Sequence, residues 1–199
     1  MTTLWQETDL ARWSSALAHY PAAIETHGVN RLPELDAWYR QELPGILAAR
    51  VAEGHGRLTH GELVRVTEWK MKRGVWRARN LVLVRGNAAD EVEHASTAAF
   101  AALPDLRKPL TALAKLAGVG PATASAVLAA VRPDLFPFFD DVIAAQIPGL
   151  GPVAFTIAYY ARYAAQLRDR ATALGPPWTA HQVGQALWAS AAYGMRSVE

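Results

Sequence analysis

Cysteine is absent from the 199 residues. That removes a disulfide framework, a thiolate nucleophile, a Cys zinc site and a Cys-ligated iron–sulfur cluster. The six histidines (His19, His27, His55, His60, His94, His181) are scattered. None forms a His-Glu-x-x-His pair, and His55 and His60, five apart, do not share a helix face, so no metal site is expected from them. Long apolar runs are also missing. The nearest candidate, Val153–Ala165, falls short of the ~20 residues of a membrane span and is interrupted by Arg162 and three tyrosines. The start, Met1-Thr-Thr-Leu-Trp-Gln-Glu-Thr-Asp9, carries acid where a signal peptide begins basic, and no apolar segment follows. A soluble cytoplasmic protein with no membrane partner is the expectation. Alternating β-branched runs are nearly absent, which argues against strands.

What is present is apolar: 51% of residues are hydrophobic, too many for a disordered chain. At roughly 100–200 residues per domain, the length fits one domain with modest extensions. Net charge is only +2, but its distribution is uneven. Between Arg57 and Arg85 lie eight basic residues against two acidic ones, and between Arg107 and Arg132 four basic residues and no acid. Asp90, Glu91, Glu93 and Asp105 fall between these stretches. Such segregation suits a face for a polyanion; a solvated surface with chance clustering would look the same.

Ala- and Leu-rich helical periodicity runs through the whole chain, and no internal repeat stands out. It predicts helices at Leu10–Tyr20, Leu32–Glu53, Thr59–Arg73, Ala78–Val84, Ala89–Ala102, Pro109–Leu116, Ala122–Val131, Val142–Ile147, Val153–Leu174 and Ala180–Ala192. Thr59-His-Gly-Glu62 reads as a capping box, Thr179 as an N-cap, and Pro44 as a kink or split in the second segment.

One segment carries chemical information. An apolar helix ends at Gly118, Gly118-Val119-Gly120 makes a tight hairpin, and a second helix opens at once with Pro121 in its first turn. Both glycines permit positive φ and clear side chains from the approach. The free N–H groups of the turn and of the next helix's first residues, Gly118, Gly120, Ala122 and Thr123, then form a phosphate-sized anion site.

Leu116-Ala-Gly-Val-Gly-Pro-Ala-Thr-Ala-Ser125 resembles the helix-hairpin-helix of DNA-binding proteins. With Pro133-Asp-Leu-Phe-Pro-Phe-Phe-Asp140-Asp141-Val-Ile after it, the chain resembles the HhH-GPD superfamily of base-excision DNA glycosylases. The resemblance is motif-grade over 113–143 and extends over about 59–147. It implies an all-α, helix-hairpin-helix DNA glycosylase-like domain: about 57–147 as core, about 1–56 as an N-terminal helical extension, and about 148–199 as C-terminal helices packed on it. It implies double-stranded DNA as partner and base excision as activity, with Asp140 as the catalytic carboxylate. Such an acid stabilises the oxocarbenium-like charge that builds on the sugar as an N-glycosidic bond breaks. Asp140 or Asp141 would equally serve as the cap of the following helix, and spacing alone selects Asp140. Bifunctional members carry a Schiff-base lysine two residues after the second hairpin glycine; Ala122 stands there, so the implied enzyme is monofunctional. No cofactor is implied beyond the option of a monovalent cation at the hairpin.

A second constellation runs from Glu68 to Asn80. Trp69, Lys70, Arg73, Trp76 and Arg77 fit a DNA- or base-contacting edge, aromatics stacking on a flipped base and cations holding phosphates. The alternative makes the tryptophans core anchors with basic side chains snorkelling over them. Phe136, Phe138, Phe139, Tyr159, Tyr160 and Tyr163 are expected mainly as core, the Tyr159/Tyr163 spacing marking one buried stripe. The resemblance implies a DNA glycosylase-like base-excision repair hydrolase; the alternatives are a non-catalytic helix-hairpin-helix DNA-binding protein, or a helical protein of unrelated function whose Gly-Val-Gly hairpin is only a tight turn.

Overall fold

In the computed structural model, which describes residues 3–194, the protein is all-α, with no strand among the described residues. After a 3-10 turn at Leu4–Gln6 come α1 (Leu10–Ala18), α2 (Tyr20–Thr26), α3 (Leu32–Ala37), a π-helical stretch (Trp38–Glu42) and α4 (Leu43–Ala52). Then follow α5 (His60–Arg73), α6 (Ala78–Arg85), α7 (Ala89–Ala101), α8 (Lys108–Leu113), α9 (Pro121–Val131), α10 (Asp141–Ala144), α11 (Ile157–Leu174) and α12 (Ala180–Gly194). Among the described residues no helix is long and apolar enough to cross a membrane.

The expected boundaries shift where Pro and Gly intervene. The predicted Leu10–Tyr20 helix ends at Ala18, and a further helix that was not expected, α2, follows with Pro21 in its first turn, where the missing N–H is harmless. Pro44 does not break the 32–53 segment. The helix widens ahead of it, Leu43 N–H reaching back to the Trp38 carbonyl, which makes room for a ring that would crowd the preceding turn. The predicted 142–147 and 153–174 helices are trimmed to α10 and α11 because Pro148, Gly149, Gly151 and Pro152 hold the chain in a turn between them.

Capping follows the sequence. Thr59 accepts from Glu62 N–H at 3.3 Å and Glu62 answers at the Thr59 N–H, 2.8 Å. Thr179 and Gln182 make the same reciprocal pair at the start of α12.

The centre of the molecule is α9. Its residues from Ala122 to Ala130 are all buried, a helix apolar all round with Ala at most positions, so neighbours approach closely. Helices α4, α5 and α8 pack on it, and α12 is clasped by α1, α2, α10 and α11. One hydrophobic cluster joins these helices, from Leu4 to Ala189. Residues before 57 and after 147 are therefore integral to one core.

Candidate nucleic-acid interface

The hairpin between α8 and α9 is fixed from outside. Asn87, just past α6, donates its side-chain amide to the Ala117 carbonyl (3.0 Å) and accepts from the Ala117 N–H (2.8 Å). Gly118 has φ +76°, and a Cβ there would lie 2.6 Å from the Asn80 carbonyl oxygen and 2.9 Å from Leu83 Cβ. Its glycine is demanded by α6, not by a ligand. Gly120 differs: its φ is −98°, and nothing lies within 4 Å of an added Cβ. The expectation that both glycines supply positive φ and open space is thus divided between them, Gly118 taking the first and Gly120 the second. The amides of Gly118, Gly120, Ala122 and Thr123 have no acceptor among the described residues. The Leu116 and Ala117 carbonyls already accept from Val119 and Asn87. Among the described residues, no three or more His, Asp or Glu side chains gather as metal ligands.

Between α9 and α10 the chain crosses the core without a partner strand, so its backbone groups need side chains to satisfy them. Tyr160 donates to the Pro137 carbonyl (3.1 Å) and Tyr163 to that of Phe138 (2.7 Å). His181 accepts from the Phe138 N–H at 3.4 Å. Ser125, on α9, accepts from the Phe139 N–H (2.9 Å) and donates to the Ala122 carbonyl (3.0 Å). The hairpin helix thereby sets the position of the residue before Asp140. Asp140 caps α10, accepting from Val142 N–H at 2.9 Å, and is only 6% exposed. Burial pushes its carboxyl above the usual carboxylate range, partly countered by Arg73. Asp141 is exposed.

Arg73 explains much of the interior. Its guanidinium is buried, with Nη2 3.6 Å from the Asp140 carboxylate, an ion pair too long for a hydrogen bond, and its Nε and Nη2 have no hydrogen-bond partner. Four ring faces surround it instead: Trp188 at 4.7 Å, Phe138 at 5.1 Å, Tyr20 at 5.5 Å and Trp69 at 5.6 Å. Burial works against its charge, but Tyr20, Asp140 and Asp36 outweigh it and hold the pKa up. Behind it, buried Asp36 accepts from Tyr20 (2.9 Å), Trp69 Nε1 (2.9 Å) and Arg40 Nε (2.6 Å). Trp69 also stacks on Tyr39, centroids 3.7 Å apart.

Trp69 and Arg73 therefore lie in the core, where no DNA reaches them, which corrects their expected place on a contacting edge. Lys70 and Arg77 do line the site. They border a cavity of about 200 Å³ with Gly120, Pro121, Ala122, Thr123 and Phe155. The same two side chains, with Ala122 and Phe155, border an adjoining space of about 50 Å³ that ends on Phe138, Phe139, Asp140 and Asp141. Burial lowers the Lys70 pKa, as does Arg77, while Asp141 and Asp140 oppose the fall. Trp76 is half exposed, outside both cavities, with Lys72 over its ring at 5.5 Å. Larger hollows of about 540 and 470 Å³ lie elsewhere, and neither touches Asp140.

Several residues that build the site carry no sequence signature: Tyr20, Asp36, Ser125, His181 and Trp188. His181 is partly buried, and its pKa falls to about 3, first through loss of solvation, then through Arg73 and Arg40. The unfolded chain takes up this proton near pH 6.5 and the folded one does not, so stability drains as pH falls from about 6.5 towards 3. By pH 4.5 the loss is about 2–3 kcal/mol. His181→Gln should flatten that part of a plot of unfolding free energy against pH; an unchanged slope would mean that the imidazole is not the group responsible.

The structure also shows a repeat that composition hid. Ile147-Pro-Gly-Leu-Gly-Pro152 follows α10 as Leu116-Ala-Gly-Val-Gly-Pro121 follows α8, thirty-one residues on. The expectation of no internal repeat is corrected; the motif was legible as Gly-x-Gly-Pro twice, but its second copy leads into an extended segment and not directly into a helix.

Fold and site together define an all-α protein in which an open helical hairpin is coupled to a buried carboxylate. The chain belongs to DUF6308, a family of unknown function, whose model matches residues 81–181, just over half of the chain and inclusive of both hairpins and Asp140. No curated protein and no solved structure matches it significantly.

Proposed function

We propose that this protein is a DNA glycosylase-like hydrolase that binds duplex DNA through the 118–123 hairpin and cleaves the N-glycosidic bond of a damaged or mismatched base. The supporting observation is the pair of adjoining cavities, sharing Lys70, Arg77, Ala122 and Phe155, that leads from the free amides of the hairpin to Asp140. A phosphate held by the Gly120, Ala122 and Thr123 amides fixes one nucleotide, with Lys70 and Arg77 neutralising its neighbours. The sugar of the extruded nucleotide then faces Asp140, whose charge stabilises the oxocarbenium-like transition state and orients water. Phe155, 48% exposed at the rim, moves aside to admit the base.

Phosphate contacts make binding salt-dependent, and Gly120→Asp, which sets a negative charge in open space, should weaken duplex affinity about tenfold or more. Affinity equal to wild type would remove the hairpin from the interface. The hairpin carries no amine, and Lys70 is the lysine bordering both cavities. Borohydride added to the protein on an abasic duplex should trap no covalent adduct; an adduct lost in Lys70→Ala would replace the monofunctional reading with a lyase.

A non-catalytic DNA-binding protein is the second reading. It is favoured by the space beside Asp140, about 50 Å³, against the roughly 300 Å³ or more of ordinary ligand pockets.

A further inference from the structure

The second hairpin matches the first in sequence, and in backbone as far as its first glycine; beyond that they part, Val119 N–H bonding the Leu116 carbonyl at 3.1 Å where Leu150 has no such bond among the described residues, and Gly151 having φ +72° where Gly120 has −98°. Ala114 N–H bonds the Leu110 carbonyl at 2.9 Å, and Ala145 N–H bonds that of Asp141 at 2.9 Å. Leu116 N–H reaches Leu113 at 3.1 Å, and Ile147 N–H reaches Ala144 at 3.2 Å. The apolar anchors are buried alike: Leu116 and Val119 in the first copy, Ile147 and Leu150 in the second. Gly118 and Gly149 share a positive φ, +76° and +80°.

The copies differ in what covers them. Gly118 is pressed against α6, whereas Gly149 and Gly151 are exposed, with nothing within 4 Å of an added Cβ at either. No neighbouring helix demands these two glycines, so open backbone is what they contribute. The amides of Gly149, Leu150, Gly151, Val153, Ala154 and Phe155 find no acceptor among the described residues. From Val142 to Ala161 there is no charged side chain, so nothing in this segment repels an anion; Asp141 just precedes it. Exposed Arg162 sits over the ring of Tyr159 at 5.4 Å, and the Tyr159 hydroxyl donates to the Gly151 carbonyl at 3.4 Å. After the turn, the chain brings Phe155 into the cavities it shares with Gly120, Ala122 and Lys70.

We infer that the 149–155 hairpin is a second phosphodiester-binding site, which holds another backbone phosphate of the same DNA duplex that the first hairpin grips. This rests on the DNA reading above and deepens it. Successive free amides in a turn with left-handed glycines make a cradle for an anion, and Arg162 adds a positive charge beside it. Two such cradles, with Phe155 between them at the cleft, hold the duplex at two points and fix its direction across Asp140, which one hairpin does not.

The test is fluorescence-anisotropy titration of a short labelled duplex over a series of salt concentrations, with the full chain. Gly151→Asp places a carboxylate in the second turn. Gly151→Asn tolerates the same left-handed backbone without the charge, and Gly54→Asp puts the same charge at another open glycine of positive φ. Gly151→Asp should bind on the order of tenfold more weakly than Gly151→Asn, with a slope of log affinity against log salt lower by about one. Gly54→Asp should bind as wild type, and melting curves should show all three folded. Gly151→Asp binding as tightly as Gly151→Asn, while Gly120→Asp is weakened, would overturn the second site and leave the DNA reading intact. Salt-independent or absent binding by the wild type would overturn both. Phosphate-ethylation interference should give two clusters of sensitive phosphates with wild type and one with Gly151→Asp; a single cluster with wild type would count against the second site.

Discussion

Asp140→Asn is expected to lower base release by at least about 100-fold while leaving duplex affinity within a few-fold of wild type. Asn keeps the geometry: it is as good an N-cap as Asp, so the bond from the Val142 N–H survives. What it removes is the charge that faces the developing sugar cation. Its second effect is inside the protein, where Arg73 loses its carboxylate at 3.6 Å and keeps only ring faces around it. Removing one partner of a buried pair typically costs about 3–5 kcal/mol; the long separation here and the four aromatic faces place this case at about 3 kcal/mol or below. Activity must therefore be compared at a temperature where melting curves show both proteins folded. Base release that survives the substitution would remove Asp140 from the chemistry. Unchanged stability would remove the Arg73 pair from the account of the core.

Asp36→Ala should be the most destabilising single change, at about 3–5 kcal/mol. Three donors converge on this carboxylate, from Tyr20, Trp69 and Arg40. Arg40 is a quarter exposed and turns to water, but Tyr20 and Trp69 are fully enclosed, and each unpaired donor costs about 1–3 kcal/mol. Asp36→Asn retains one acceptor oxygen and should lose roughly half as much. At a few degrees per kcal/mol for a chain of this size, the Ala variant should melt about 10 °C or more below wild type. A fall below about 1 kcal/mol in denaturant titrations would show that the Asp36 network does not hold Trp69 and Arg73 in place.

These residues also mark the boundary between what is local in the sequence and what only tertiary contact decides. Thr59 and Thr179 were legible because capping is local chemistry, written within four residues. The Tyr159/Tyr163 stripe is legible as burial, but the hydroxyl bonds of Tyr160 and Tyr163 to the 137–138 backbone are not, since they join positions more than twenty apart. Arg73 follows Val66, Trp69 and Lys70 at helical spacing, so periodicity put it near the core face, while its residue type argued for the surface. The tertiary surroundings decided: Trp188 and Tyr20, from distant helices, supply the faces that tolerate a buried cation. Asp36 had no local sign at all. The first hairpin is plain in the sequence because its turn and helix adjoin; the second is masked because four residues separate Pro152 from α11.

The measurement that bears most directly on the proposed function is base release from duplexes carrying alkylated, deaminated, oxidised or mismatched bases, with abasic strands cleaved afterwards by hot alkali. Wild type should release at least one class of base, Asp140→Asn should not, and no strand should break before the alkali. Salt-dependent duplex binding with no release from any substrate would contradict the glycosylase reading and leave a DNA-binding protein built on the same hairpins.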